Sequence, residues 1–156
     1  MERTSMNTSV AVAPVSFLCS KIAIHTRRAR EFVDITEEVM SRVRGSGLRD
    51  GLLVVASRHT TAAIVVNEHE PELLKDLDRL LQEIAPEEHS YAHNVVPCGP
   101  DEHPNGHSHC QALLLSTSAS IPIFGGVPVL GRYQRIFLVE LDHARPREVT
   151  VVLLGS

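Results

Sequence analysis

Nine histidines stand in this 156-residue chain, and seven of them fall between His59 and His109. An imidazole titrates near neutral pH and ligates metals, so the clustering points to proton transfer or metal binding. The first candidate is SRHTTAAIVVNE. There His59 sits at a polar break between two apolar runs, with Ser57, Thr60 and Thr61 beside it. The hydroxyls suit an anion; the plainer alternative is a turn whose threonines cap backbone groups. The second candidate is His93 in YAHN, and the third is His107 with His109 in NGHSHC. On a strand that last pair shares a face; on a helix its members point roughly 200° apart. Three imidazoles from separate segments, His59, His93 and His109, would hold zinc and leave a fourth position open, the catalytic arrangement. Their spacings match no short zinc motif, so hydrogen-bonded surface histidines stand as the competing reading. His25, His69, His89, His103 and His143 lack such context and read as surface residues.

A fourth cluster is ELDHARPR, which sets Glu140, Asp142, Arg145 and Arg147 after an apolar run. Such a cluster is usually a solvated, salt-bridged turn. The chemical alternative is that Arg145 or Arg147 grips a phosphate or carboxylate with its guanidinium fork. The glycine-rich phosphate loops and the serine-hydrolase elbow are absent from the sequence.

These residues need elements to hold them. FLCSKIAIHT reads as a strand, and so do Leu52–Ala56 and Ala62–Val66, short β-branched runs around the SRHTT break. Asp34 and Glu37 have the spacing of a capping box for a helix carrying Ile35, Val39 and Val43 on one face, which Gly45 and Gly47 end. Pro71 opens a second helix, in which Leu73, Leu74, Leu77, Leu80, Leu81 and Ile84 form an apolar stripe, and Pro86 closes it. Residues 97–107 read as a functional loop, and HCQALLLSTSA as a short helix leading into the strand IPIF. Gly125-Gly126 reads as a hairpin turn before VPVLG. YQRIFLVELD and REVTVVLLG are two long strands, expected as antiparallel neighbours. The sum is an α+β fold: a single compact domain over 16–156, with two or three helices on one side of a mostly antiparallel sheet. Residues 1–15 read as a flexible arm.

Composition sets the outer bounds. Lys+Arg 15 against Asp+Glu 19 gives a net charge of −4, there is no basic run, and aromatic residues make up 4%. Nucleic acid is therefore not an expected partner. No apolar stretch is long enough to span a membrane. Cys19, Cys98 and Cys110 form neither CxxC pairs nor an even set, which fits a reducing cytoplasm.

Three segments together carry a resemblance: SRHTTAAIVVNE, the NxxxH of NGHSH, and SASIPIFGGVPVLGRYQRIF followed by ELDHARPR. They resemble the YjbQ-type family, also known as UPF0047 and as secondary thiamine-phosphate synthase. The resemblance runs from about Phe17 to Gly155. It implies a compact α+β fold, a homotrimer and a divalent metal, zinc, between family histidines. The positions it implies for the site are His59, Thr60, Thr61, Asn67, Glu68, His93, Asn105, His109, Gln134, Glu140, Asp142 and Arg145. Among these His59, His93 and His109 are the expected metal ligands, with His107 as a candidate fourth. Arg145, Glu68, Thr60 and Thr61 are the expected catalytic residues. The implied substrate is a phosphorylated small molecule, and the implied reaction joins a thiazole phosphate to a pyrimidine pyrophosphate. Another metal-dependent reaction, such as hydrolysis, and non-enzymatic binding of a metal or small ligand stay open. The chain departs from the family pattern at four positions. Gly125 stands where an acid or Asn is common, and His107 takes an acidic position. His143 replaces a Gly, and Tyr133 replaces a Trp.

Overall fold

The structure is a computed structural model that describes residues 14–95 and 103–156. Most of the expected arm and most of the 97–107 loop lie outside the described residues. The elements in chain order are β1 (Ser16–His25), β2 (Glu31–Asp34), α1 (Thr36–Ser46), β3 (Gly51–Ser57), β4 (Ala62–Glu68) and α2 (Pro71–Ile84). A 3-10 turn (Ala92–Val95), α3 (Gly106–Leu114), β5 (Ser118–Phe124), β6 (Val127–Pro128), β7 (Gln134–Glu140) and β8 (Pro146–Gly155) follow. The expected α+β class holds, and every strand pairing is antiparallel.

The strands divide between two sheets, β1-β8-β3-β5-β6 and β2-β7-β4. The expectation that the last two long strands would be neighbours is therefore wrong. The reason is visible in their side chains. Successive residues of a strand face opposite ways. In β7, Ile136 and Leu138 enter one core cluster while Phe137 and Val139 enter another. A strand buried on both faces belongs at the centre of a covered sheet, and β7 lies between β2 and β4. In β8 the fully buried residues are alternate ones, Arg147, Val149, Val151 and Leu153, as suits a sheet covered on one face. The short link from β7 to β8 thus passes from one sheet to the other, carrying Asp142, His143 and Arg145 with it.

The main core fills the space between the sheets and is joined by Ile35, Val39 and Val43 around α1. The second core lies on the other face of β4 and β7. There Leu74 and Leu81 of α2 and Ala112 of α3 meet Ala63, Phe137 and Val139. The α2 stripe is wider than the surface it covers, since Leu80 and Ile84 remain exposed. Its N-cap is Glu70, whose carboxylate accepts from the backbone N–H groups of Glu72 and Leu73. Gly125 and Gly126 both have positive φ (59° and 82°), as a tight β5–β6 hairpin turn requires.

The expected capping box of α1 is replaced by a different device. Asp34 accepts from the Thr36 backbone N–H at 2.9 Å and from Arg135 Nε at 2.8 Å. Glu37, in place of reaching back to the chain, faces Arg135 and Arg44. Burial raises the Asp34 pKa, but the contacts from Thr36, Arg135 and His69 outweigh it and hold it at about 2 against an ordinary 3.8. Because the folded value is depressed, its stabilisation is present above about pH 4 and is lost as pH falls toward 2. The shift is worth about 2 kcal/mol. Asp34→Asn is expected to cost about that much at neutral pH in urea unfolding. The difference from the parent should shrink steadily below pH 4. A gap that does not change with pH would contradict this.

Candidate functional site

The link between β7 and β8 rests on a buried ion pair. Arg147 Nε donates to Glu140 Oε2 at 2.6 Å, and a second guanidinium nitrogen donates to Oε1. The same nitrogen reaches Thr61 Oγ1 at 3.0 Å. Glu140 also accepts from the Thr26 hydroxyl (2.9 Å) and the Asp142 backbone N–H (3.0 Å). Glu140 and Arg147 are both buried. The solvated-turn reading therefore fails for these two, and Arg147 is not free to grip an anion. A charge taken from water must be fully partnered, and four donors meet that need at Glu140.

Arg145 differs. Its backbone N–H donates to Thr26 Oγ1 (3.0 Å), and its carbonyl accepts from the Thr26 N–H (3.2 Å). The end of β1 thus anchors its main chain. Its side chain stays 43% exposed, and its guanidinium touches Asp142 Oδ2 at 3.2 Å.

The turn between β3 and β4 brings His59 to the same end of the molecule. The Glu148 backbone N–H donates to His59 Nε2 at 3.1 Å. In that arrangement the neutral ring carries its proton on Nδ1 and offers a donor, not a lone pair. Burial, then the charges of Arg147 and Arg145, lower the His59 pKa, with Glu140 opposing. Thr60 beside it is exposed, whereas Thr61 is buried and bonded to Arg147.

His93 in the 3-10 turn and His109 in α3 stand with ring centroids 4.8 Å apart. Close packing of the two segments explains this. Asn94 Oδ1 accepts from the Gly106 N–H at 2.8 Å, and a Cβ on Gly106 would meet Tyr91 Cβ at 2.5 Å. The His109 pKa is lowered by burial and by His93, with Asp142 opposing. His107 points the other way, as helical geometry demands. It is buried, beside Tyr91 and the Ser108 hydroxyl, and burial lowers its pKa.

Asp142 is the hub. Its side chain is 1% exposed, and Oδ2 accepts from Asn105 Nδ2 and Arg145, each at 3.2 Å. Oδ1 lies 2.9 Å from His103 Nε2 and 3.2 Å from His143 Nδ1. Burial raises the Asp142 pKa, but contacts with His143 and Asn105 and the histidine charges bring it below the ordinary value.

The fold thus gathers Arg145, His59, Thr60 and Thr61 at the β7–β8 crossing and pairs His93 with His109. It does not converge His59, His93 and His109 on one point. Among the described residues, the trio whose ligand atoms lie within 4.8 Å of one another is His103, Asp142 and His143. Glu68 stands at the opposite end of β4, opposite Gln134, while Ala62 opposes Glu140. At about 3.4 Å per residue that is roughly 20 Å from Ala62, the neighbour of Thr61. Sequence reasoning set aside His103 and His143. The signal that could have found them is that each lies close in sequence to a family position, Asn105 and Asp142.

Comparison with known proteins agrees with this architecture. The model of the family described as "UPF0047 protein YjbQ-like" matches residues 20–156. A UPF0047 protein of Methanothermobacter thermautotrophicus is 38% identical over 136 residues, 87% of this chain and 91% of the relative. Crystal structures are similar too. A YbjQ-like protein of unknown function from Sulfolobus solfataricus P2 has a TM-score of 0.85 at 37% identity, over 92% of this chain and all of that one. A hypothetical protein from Aeropyrum pernix K1 has 0.82 at 34%, over 89% and 99%.

Proposed function

The chain belongs to the UPF0047 YjbQ-like family, and from that premise we propose that it binds a phosphorylated small molecule at the β7–β8 crossing and releases pyrophosphate from it. The observation that carries the reading is the contrast between two arginines two residues apart. Arg147 is consumed by Glu140, while Arg145 is anchored by its backbone and keeps its guanidinium at the surface. Exposed Thr60 and the donor face of His59 stand at the same end.

The reaction proposed is the one the family resemblance implies. The thiazole nitrogen attacks the methylene of a pyrimidine pyrophosphate. A C–N bond forms, the C–O bond to pyrophosphate breaks, and the pair of electrons leaves with the anion. The protein's part is to hold two rings in line and to meet the departing charge with fixed donors. Arg145 and the Thr60 hydroxyl take that part here. A divalent metal, zinc, belongs to the proposal as a cofactor that would stabilise the same charge. His93 and His109 suit it as ligands. His59 does not join them as it stands, because its Nε2 is bonded to Glu148.

The test is turnover of a thiazole phosphate and a pyrimidine pyrophosphate, followed as released pyrophosphate. Product is expected, and Thr60→Val should slow its formation roughly 10- to 100-fold, the worth of a hydrogen bond to a charged group. Absence of product with metal supplied, or an unaffected variant, would contradict the proposal.

A homotrimer is also proposed. The outer face of the five-stranded sheet supports it. Phe17, Leu154, Leu52 and Pro122 oppose one another in a row across four strands, and Phe17 is 66% exposed. A second copy is the occupant that family membership favours for such an open apolar row. Light scattering should give a trimer for the parent and smaller species for Phe17→Glu. A monomeric parent would contradict it.

A further inference from the structure

We propose that His103, Asp142 and His143 form a divalent-metal site, separate from the family histidines His59, His93 and His109, that takes zinc or a metal of similar preference. The set is a two-imidazole, one-carboxylate donor trio, of the type that leaves a coordination position open. Zinc bonds of about 2.0–2.1 Å in a tetrahedron put neighbouring ligand atoms about 3.3 Å apart. Here the Asp142 Oδ1 to imidazole nitrogen distances are 2.9 and 3.2 Å, and the ring centroids are 4.1 Å apart.

Two features favour a metal over a simple hydrogen-bonded group. The first is the orientation of the carboxylate. Asn105 and Arg145 both occupy Oδ2, which leaves Oδ1 turned to the two histidines. Metal-binding carboxylates are commonly fixed by such outer contacts. Second, His143 Nδ1 is buried and close to Oδ1, yet it is not aligned as a hydrogen-bond donor to it or to any other group. His103 Nε2 is within hydrogen-bond distance of Oδ1, and the three ligand atoms together lie within 4.8 Å of one another, close enough to share one ion. The histidine side chains are 45% and 41% exposed, so an ion can enter from solvent.

The site also lies beside the anion-binding group. Because Arg145 shares Asp142 with the two histidines, an anion on Arg145 would meet a metal at the open position. The metal site itself does not depend on the proposed reaction.

The experiment is calorimetric titration of chelator-stripped protein with Zn2+, repeated with Co2+ and read by visible absorption. His103→Gln and His143→Gln are the informative variants because both rings are surface-accessible, and melting curves verify their folding. His109→Gln removes the other candidate site. The expected result is at least a 100-fold loss of one metal equivalent in His103→Gln and in His143→Gln, with that equivalent retained in His109→Gln. The inference is overturned if folded His103→Gln and His143→Gln bind metal like the parent. It is equally overturned if the parent binds no metal, or if its only equivalent is lost in His109→Gln. Failure of turnover with the Zn2+ equivalent intact would count against the proposed reaction and leave the metal site standing.

Discussion

Arg147→Ala is expected to destabilise the protein by about 3–5 kcal/mol, the cost of leaving a buried charge without its partner. Glu140 has no exposed surface and cannot recover water. Its remaining donors, the Thr26 hydroxyl and the Asp142 N–H, are neutral. The damage should also spread to function, because Glu140 holds the Asp142 backbone and Thr26 holds that of Arg145. Urea unfolding measures the effect. The double variant Glu140→Leu, Arg147→Met should cost much less than the sum of the two single losses, since an apolar pair removes the unpaired charge along with the bond. A cost below about 1 kcal/mol for Arg147→Ala would mean the pair is not a structural keystone.

The second large effect falls on binding. Arg145→Lys should weaken pyrophosphate binding by about 1.5–3 kcal/mol, the worth of a hydrogen bond to a charged group. A guanidinium holds two oxygens in one plane, and an ammonium does not. The melting temperature should barely move. The Arg145–Asp142 contact is 3.2 Å long and involves a side chain 43% exposed, and such pairs contribute little to stability. A variant that melts early and binds pyrophosphate as well as the parent would make Arg145 a structural residue.

The two arginines illustrate what a sequence can reveal here. ELDHARPR announces four charges, and nothing local tells the buried from the exposed. That distinction arises because β8 sends alternate side chains inward, so Arg147 enters with Val149 and Val151 while Arg145 precedes the strand. The α2 helix, by contrast, was legible nearly to the residue. Its start is written in Pro71, and its period persists for four turns. The strands of β7 and β8 were legible as strands but not as members of different sheets. An apolar run does not name its partner, and only the two-sided burial of Ile136 to Val139 decides it. Strand β2 was missed because four residues carry too little pattern.

The site shows the same division. His59 stands out by its neighbours, but its engagement with Glu148 joins residues 89 apart. His103 and Asp142 are 39 apart. Such meetings follow from sheet topology and register, which spacing along the chain does not encode. The pairing of His93 with His109 depends on Gly106 packing against Tyr91, a contact no motif records.

The proposed anion site on Arg145 at the β7–β8 crossing can be seen or refuted in a crystal structure of the protein grown with pyrophosphate. Pyrophosphate density is expected within hydrogen-bond distance of the Arg145 guanidinium and the Thr60 hydroxyl, and absent from crystals of Arg145→Lys grown the same way. Pyrophosphate bound elsewhere, with Arg145 still turned to Asp142 alone, would contradict it.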